Sequence, residues 1–224
     1  MLKLMTLESQ KHRLKRLLQG TILANVILML FITLIHYMEK SSGTTAFEDY
    51  TLAFLAIHSM VRPTMIMFAC VLSVKLIVDE LKTKTMSILF QYPISRSKVM
   101  LTKMVMVILF AFLSILLSNL FLATYIVATN QWIGFVPQSF SWEPVTQFAL
   151  YLLQDALAIS AIVLVPIFVG LLKYSVPSTF VTAVIITIAF LTSFGAHPLF
   201  APVLGILGLI SAFFSIRKVK LADM

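Results

Sequence analysis

Charge is what this sequence has least of. Only 12% of its 224 residues are Asp, Glu, Lys or Arg, while 60% are hydrophobic and the mean hydropathy is +1.00. A soluble domain carries about 25% charge. So few charges cannot clothe a water-exposed surface, which excludes a soluble enzyme and a free-standing nucleic-acid binder. Cysteine is almost absent: Cys70 alone permits no intramolecular disulfide and no cysteine metal cluster. Its place in an apolar run suggests packing. The seven glycines form no G-x-x-x-x-G-K-[ST] phosphate loop, so the chain is not expected to hydrolyse ATP. The four histidines lack metal spacing such as H-E-x-x-H. No G-x-S-x-G elbow, pair of membrane aspartates or backbone ion filter points to hydrolysis or to a selective channel. With no internal repeat and no Ser/Gly linker, residues 1–224 read as one domain.

What the chain does have is long apolar runs. About 20 apolar residues cross the hydrocarbon of a bilayer as a helix. Six runs qualify or come close: Gly20–Tyr37, Ile57–Val78, Met104–Ala128, Phe148–Leu172, Ser178–Gly195 and Leu199–Ile216. The last two are separated only by Ala196-His197-Pro198, so they form either a tight hairpin, which is favoured, or a re-entrant element. The expected fold is an all-α integral membrane protein of six transmembrane helices.

Basic residues flanking the spans set the orientation. Fifteen of the 17 fall on one side: five before span one, six in Lys75–Lys103, Lys173 after span four, and three in the tail. Only Lys40 and Arg62 do not. The opposite loops hold Glu39, Glu48, Asp49 and Glu143. The expectation is a bacterial inner (cytoplasmic) membrane protein with both termini cytoplasmic and the lipid bilayer as a partner. The net charge of +8 is then topological and implies no nucleic acid. The basic N-terminus and the length of the first apolar run also argue against a cleaved signal peptide.

Residues 1–18 read as an amphipathic interfacial helix, with Leu4, Leu7, Leu14, Leu17 and Leu18 on about one face. Lys3 and Lys11 interrupt that face. The connection 79–103 is too apolar for a solvated loop. Leu81, Thr85, Ile88, Leu89 and Tyr92 share a helical face, Pro93 ends the element, and Ser95 is placed to cap the next helix. An apolar face in that position points to a partner.

The order Glu80, Thr85-Met86, Leu89, Pro93-Ile94-Ser95-Arg96 and Lys103 resembles the cytoplasmic signature of ABC-2 type transporter permeases. Lys84 stands where glycine is usual, Ser87 where an acid is common, and Thr102 where a small residue precedes the lysine. The resemblance implies an ATP-driven exporter of an amphipathic or lipophilic substrate, akin to small permeases of antibiotic or bacteriocin-peptide export and immunity. It implies a separate ABC ATPase subunit that carries ATP and Mg, and a second permease copy, as homodimer or heterodimer. The segment between spans two and three would be a coupling helix, docking through Glu80, Leu81, Thr85, Met86, Leu89, Pro93 and Arg96. This chain itself would bind no cofactor or metal and would not be an enzyme.

Two charges sit inside spans: Arg62 about 7 Å and Asp155 about 10 Å below their outer ends, at 1.5 Å per residue. They are expected to pair or to face the translocation path. The tryptophans Trp132 and Trp142 suit a headgroup belt, and Ala201, Gly205, Gly208 and Ala212 on span six would admit another helix closely. Two other function classes stay open: a secondary transporter or channel that needs no ATPase, and a non-transporting scaffold or sensor.

Overall fold

A backbone surrounded by hydrocarbon must satisfy its own hydrogen bonds, and a helix does so within one segment. The computed structural model describes residues 14–41, 47–82, 96–138, 140–173, 175–192 and 200–221, and among these all regular structure is helical. The elements are α1 (Leu14–Ser41), α2 (Tyr50–Ser73), a π-helical turn (Val74–Val78), the single turn α3 (Asp79–Lys82), α4 (Arg96–Ile133), α5 (Glu143–Ile162), α6 (Leu164–Lys173), α7 (Val176–Leu191) and α8 (Phe200–Leu221). Five stretches are long and apolar enough to cross a membrane: Arg16–Ser41, Tyr50–Val78, Lys98–Ile133, Glu143–Leu172 and Phe200–Arg217. Helix α7 is apolar but only 16 residues long. The all-α membrane architecture is as expected from the sequence.

The helices outrun the apolar stretches that identify them. Helix α2 starts at Tyr50, where Asp49 Oδ1 accepts from the Leu52 amide at 2.7 Å. Helix α5 starts at Glu143 with Pro144 in its first turn. Further along the same passage Pro166 has no N–H to offer the carbonyl of Ile162. The helix breaks there, at Val163, into α5 and α6.

Pairs of contacting residues give the directions. Phe54 lies against Phe148, and His58 against Asp155, so α2 and α5 run the same way. His58 also meets Asn119, and Glu80 meets Lys103, so α4 runs against α2. Helix α1 follows α4 through Asn25 to Ser118 and Thr33 to Tyr125. Cys70 beside Thr179, and Arg62 over Phe190, turn α7 against α2. Arg16, Lys75, Lys98, Lys103 and Arg217 therefore gather at one end, the basic end, and Asp49 and Glu143 at the other.

Helix α2 is the hub, with 13 of its 24 residues buried. Helix α1 lies at the edge and turns Ile22, Leu23, Ile27, Leu30 and Phe31 outward. Helix α8 is seated by its small residues. A Cβ on Gly205 would come 3.2 Å from Ala158, and one on Gly208 would collide with the Ala161 carbonyl. The helix that the small-residue stripe admits is therefore α5 of the same chain.

That seat also sets a height. With Gly205 facing Ala158, the start of α8 at Phe200 stands level with about residue 153 of α5, some 15 Å from Glu143 at 1.5 Å per residue. The Phe190 and Phe200 rings are 5.3 Å apart. So α7 ends and α8 begins partway through the bundle, at the level of Arg62.

The predicted interfacial helix falls mostly on residues 1–13, outside the described residues; from Leu14 onward the chain is already α1. Most of the predicted coupling segment, residues 83–95, also lies outside them, including Thr85, Met86, Leu89, Pro93 and the cap at Ser95.

Candidate functional site

Two ionic clusters are built into the helices, one midway along the bundle and one at the basic end. The midway cluster begins on α2. His58 and Arg62 are four residues apart, so they project from one face. Tyr151 and Asp155 have the same spacing on α5. The longer helices place Arg62 and Asp155 deeper than the apolar runs suggested. Each stands twelve residues in from its helix start, about 18 Å, which is near the middle of both passages.

The structure brings Arg62 and Asp155 together. Arg62 Nη2 lies 2.9 Å from Asp155 Oδ2 and donates to Tyr151 Oη at 2.9 Å. His58 Nε2 meets the same Asp155 oxygen at 2.6 Å, and His58 Nδ1 lies 3.2 Å from Asn119 Oδ1. The Arg62 guanidinium carbon sits 5.0 Å from the centre of the Phe190 ring, within cation–π range. Arg62 and Asp155 are each only 6% exposed and His58 only 1%. Insertion scales put a charge at mid-helix at about 2.5–3.5 kcal/mol each. Mutual pairing offsets that cost, and tyrosine, asparagine and aromatic walls surround the pair.

Asn119 Nδ2 donates to the Ile115 carbonyl at 2.8 Å, so its Oδ1 faces His58 Nδ1. On the other side of the ring, one Asp155 oxygen answers both His58 Nε2 and Arg62 Nη2.

Beside the cluster, a cleft of about 400 Å³ opens between α2, α5 and the end of α7. Leu55, Ser59, Tyr151, Phe190, Leu191 and Thr192 line it together with His58 and Arg62. Among the described residues Arg62 Nε is buried and has no hydrogen-bond partner.

The second cluster is Glu80 with Lys103. Lys103 is fully buried and Glu80 is 5% exposed. Lys103 Nζ donates to Glu80 and also to the Leu76 carbonyl, at 2.8 Å, inside the π-helical turn. The carbonyls are shifted in register there, because a π-turn bonds five residues back; the Asp79 amide donates to Val74. The pair fastens α3 to α4 on either side of residues 83–95.

Of the residues singled out from the sequence, Glu80 is placed in this pair. For Leu81 and Arg96 only the backbone lies among the described residues. Sequence reasoning missed His58, Asn119 and Tyr151. The signal was present in the polar residues spaced four apart within apolar helices, His58 before Arg62 and Tyr151 before Asp155. His36 stays apart from both clusters, its ring 4.8 Å from that of Phe135.

Among the described residues no group of three or more His, Cys, Asp or Glu could hold a metal ion. In the loop after α4, Asn130 bonds the amide and carbonyl of Val136 and thereby closes a turn at Gly134, whose φ is +74°. The turn buries Phe135 completely and leaves Trp132 and Trp142 exposed. An apolar pocket of about 460 Å³ lies next to it, walled by Phe54, Leu120, Val127, Phe140 and Trp142.

Comparison with known proteins adds two matches. Residues 4–195 fit the family model described as ABC-2 family transporter protein. A Bacillus subtilis (strain 168) protein, the uncharacterized protein YcbO, is 37% identical over 185 residues, covering 83% of this chain and 81% of that protein. No solved structure matches.

Proposed function

The chain belongs to the ABC-2 family of transporter proteins, and from that premise we propose that it is the transmembrane permease subunit of an ATP-driven exporter. Its substrate is an amphipathic or lipophilic molecule, peptide-like or lipid-like, carried out of the cell. ATP and Mg are bound by a separate ABC ATPase. In this reading the basic end faces the cytoplasm of a bacterial cell, and a second permease copy, identical or related, completes the path.

The observation that carries the reading is the buried Glu80–Lys103 pair. It holds α3 and α4, the helices that precede and follow the segment with Thr85, Met86, Leu89 and Pro93, at fixed spacing. A segment clamped in this way transmits a push from a docked ATPase to α2 and α4 as one body. Glu80, Leu81, Thr85, Met86, Leu89, Pro93 and Arg96 are the proposed coupling residues.

The test is to co-express the chain with candidate ABC ATPases from its own genome, co-purify the pair and measure ATP hydrolysis. Met86→Asp and Leu89→Asp should abolish stimulation of the ATPase by the permease while both chains remain in the membrane. Stimulation that ignores both changes sinks the coupling assignment.

One observation favours a second reading. An ionisable cluster at mid-membrane is what an ion-coupled carrier without an ATPase also needs. Uptake or efflux that persists in cells whose ATPase is inactivated, and that collapses with the proton gradient, would favour that carrier.

A further inference from the structure

The midway cluster leaves one donor of a buried cation unused. A single Asp155 oxygen answers both His58 and Arg62. Among the described residues of α7 and α8 no acid stands near to offer a second anion; both helices are uncharged until Arg217. Arg62 lines a cleft, and its Nε is a buried donor without a partner among the described residues. A buried charge is tolerated when it is paired and hydrogen-bonded.

We propose that this cleft is a binding site for the anionic group, carboxylate or phosphate, of an amphiphile. The anion accepts from Arg62 Nε, and the apolar tail leaves past Leu55 and Leu191, whose side chains lead outward from the cleft. Ser59 and Thr192 stand at the rim, their hydroxyls donating to the Ala56 and Ala189 carbonyls. The Phe190 ring holds the guanidinium plane from one side, so the charge is directed and not free to snorkel. The site rests on the permease reading for its purpose, since it names the substrate class as anionic amphiphiles. Its binding chemistry needs no ATPase.

The experiment uses the full chain in phosphatidylcholine nanodiscs and two probes, dansyl-labelled undecanoate and its methyl ester. The saturable fluorescence rise is titrated for each. The acid should bind at least about tenfold more tightly than the ester, the preference expected of a charge-assisted bond. The paired change Arg62→Gln with Asp155→Asn keeps shape while removing the charge, and it should erase the preference. Should that variant fold poorly, Ser59→Phe decides: it fills the cleft, leaves the ion cluster intact, and should remove saturable binding of the acid.

Equal binding of acid and ester by the wild-type chain, or acid binding untouched by Ser59→Phe, overturns the proposal. Phosphatidylglycerol added to the discs identifies the source. Displacement of the probe supports a lipid anion as the occupant, and persistence supports a free amphiphile. A chain that passes the ATPase test and fails this one keeps its permease role and loses the anion site. The reverse result keeps the site without the coupling.

Discussion

The two ionic clusters are the same kind of object in different states of completion. Glu80 and Lys103 form a closed pair, in which both charges are buried, each faces the other, and a backbone carbonyl takes a further proton of the ammonium. The cluster of His58, Arg62 and Asp155 is as deeply buried, yet one guanidinium nitrogen is left without a partner among the described residues, on a side chain that lines a cleft. A closed pair can fasten helices and do nothing more. An open one retains a donor to offer. The difference suggests that the basic end of α2 is built for rigidity and its middle for exchange of a partner.

The largest expected effect comes from breaking the closed pair. Lys103→Met removes the buried ammonium that faces the Glu80 carboxylate, and should lower the stability of the reconstituted chain by about 3–5 kcal/mol. The double change Glu80→Gln with Lys103→Met should recover most of that loss, since a neutral replacement removes both desolvation terms. Thermal unfolding in detergent, followed by the fluorescence of Trp132 and Trp142, measures both. Equal losses for the single and double variants would show that the pair's charge is irrelevant to its fastening role.

Breaking the open cluster should cost less. Asp155→Ala leaves Arg62 unpaired, but the cleft and Tyr151 let the guanidinium re-orient toward polar groups, so a loss of about 2–3 kcal/mol is expected. A loss as large as that of Lys103→Met would mean that the middle is as closed as the base.

Next in size is Gly208→Val. Its side chain meets the Ala161 carbonyl, so α8 must back away from α5; overpacking of this kind costs about 1–3 kcal/mol. Thermal unfolding reads the loss, and the acid-over-ester preference of the probe reads whether moving the α5–α8 seam disturbs Asp155, which lies one turn from Ala158.

How much of this was legible in the sequence follows the physics of each signal. The apolar runs of spans one to four gave their helices, because a helix of 20 apolar residues has no competing solution in lipid. Their true starts at Tyr50 and Glu143 were hidden, since polar residues continue a helix through the headgroup zone as readily as they end it. That error placed Arg62 and Asp155 too near the surface. Their meeting was readable from matched depth; His58 was signalled only by its spacing of four from Arg62, and a histidine looks alike as a core residue and as a ligand. The stripe of Gly205 and Gly208 announced a close helix without naming which; only the structure assigns it to α5. Exchanging the two residues, Arg62→Asp with Asp155→Arg, would not restore the pair cleanly, because His58 faces position 155 and would meet the new arginine.

The smallest effect sharpens the contrast most. Tyr151→Phe removes one hydroxyl, the acceptor for Arg62 Nη2, and leaves the ring beside His58 and Phe148 unchanged. One neutral acceptor is lost while the contact of Arg62 with Asp155 remains, so the expected loss is about 1 kcal/mol or less. The same nitrogen still reaches Asp155, and Nε keeps its direction. The acid-over-ester preference of the cleft should therefore survive this change while stability dips. If the preference falls with the hydroxyl, the guanidinium is aimed by Tyr151 and not by the Phe190 face, and the open cluster is held open by one hydrogen bond.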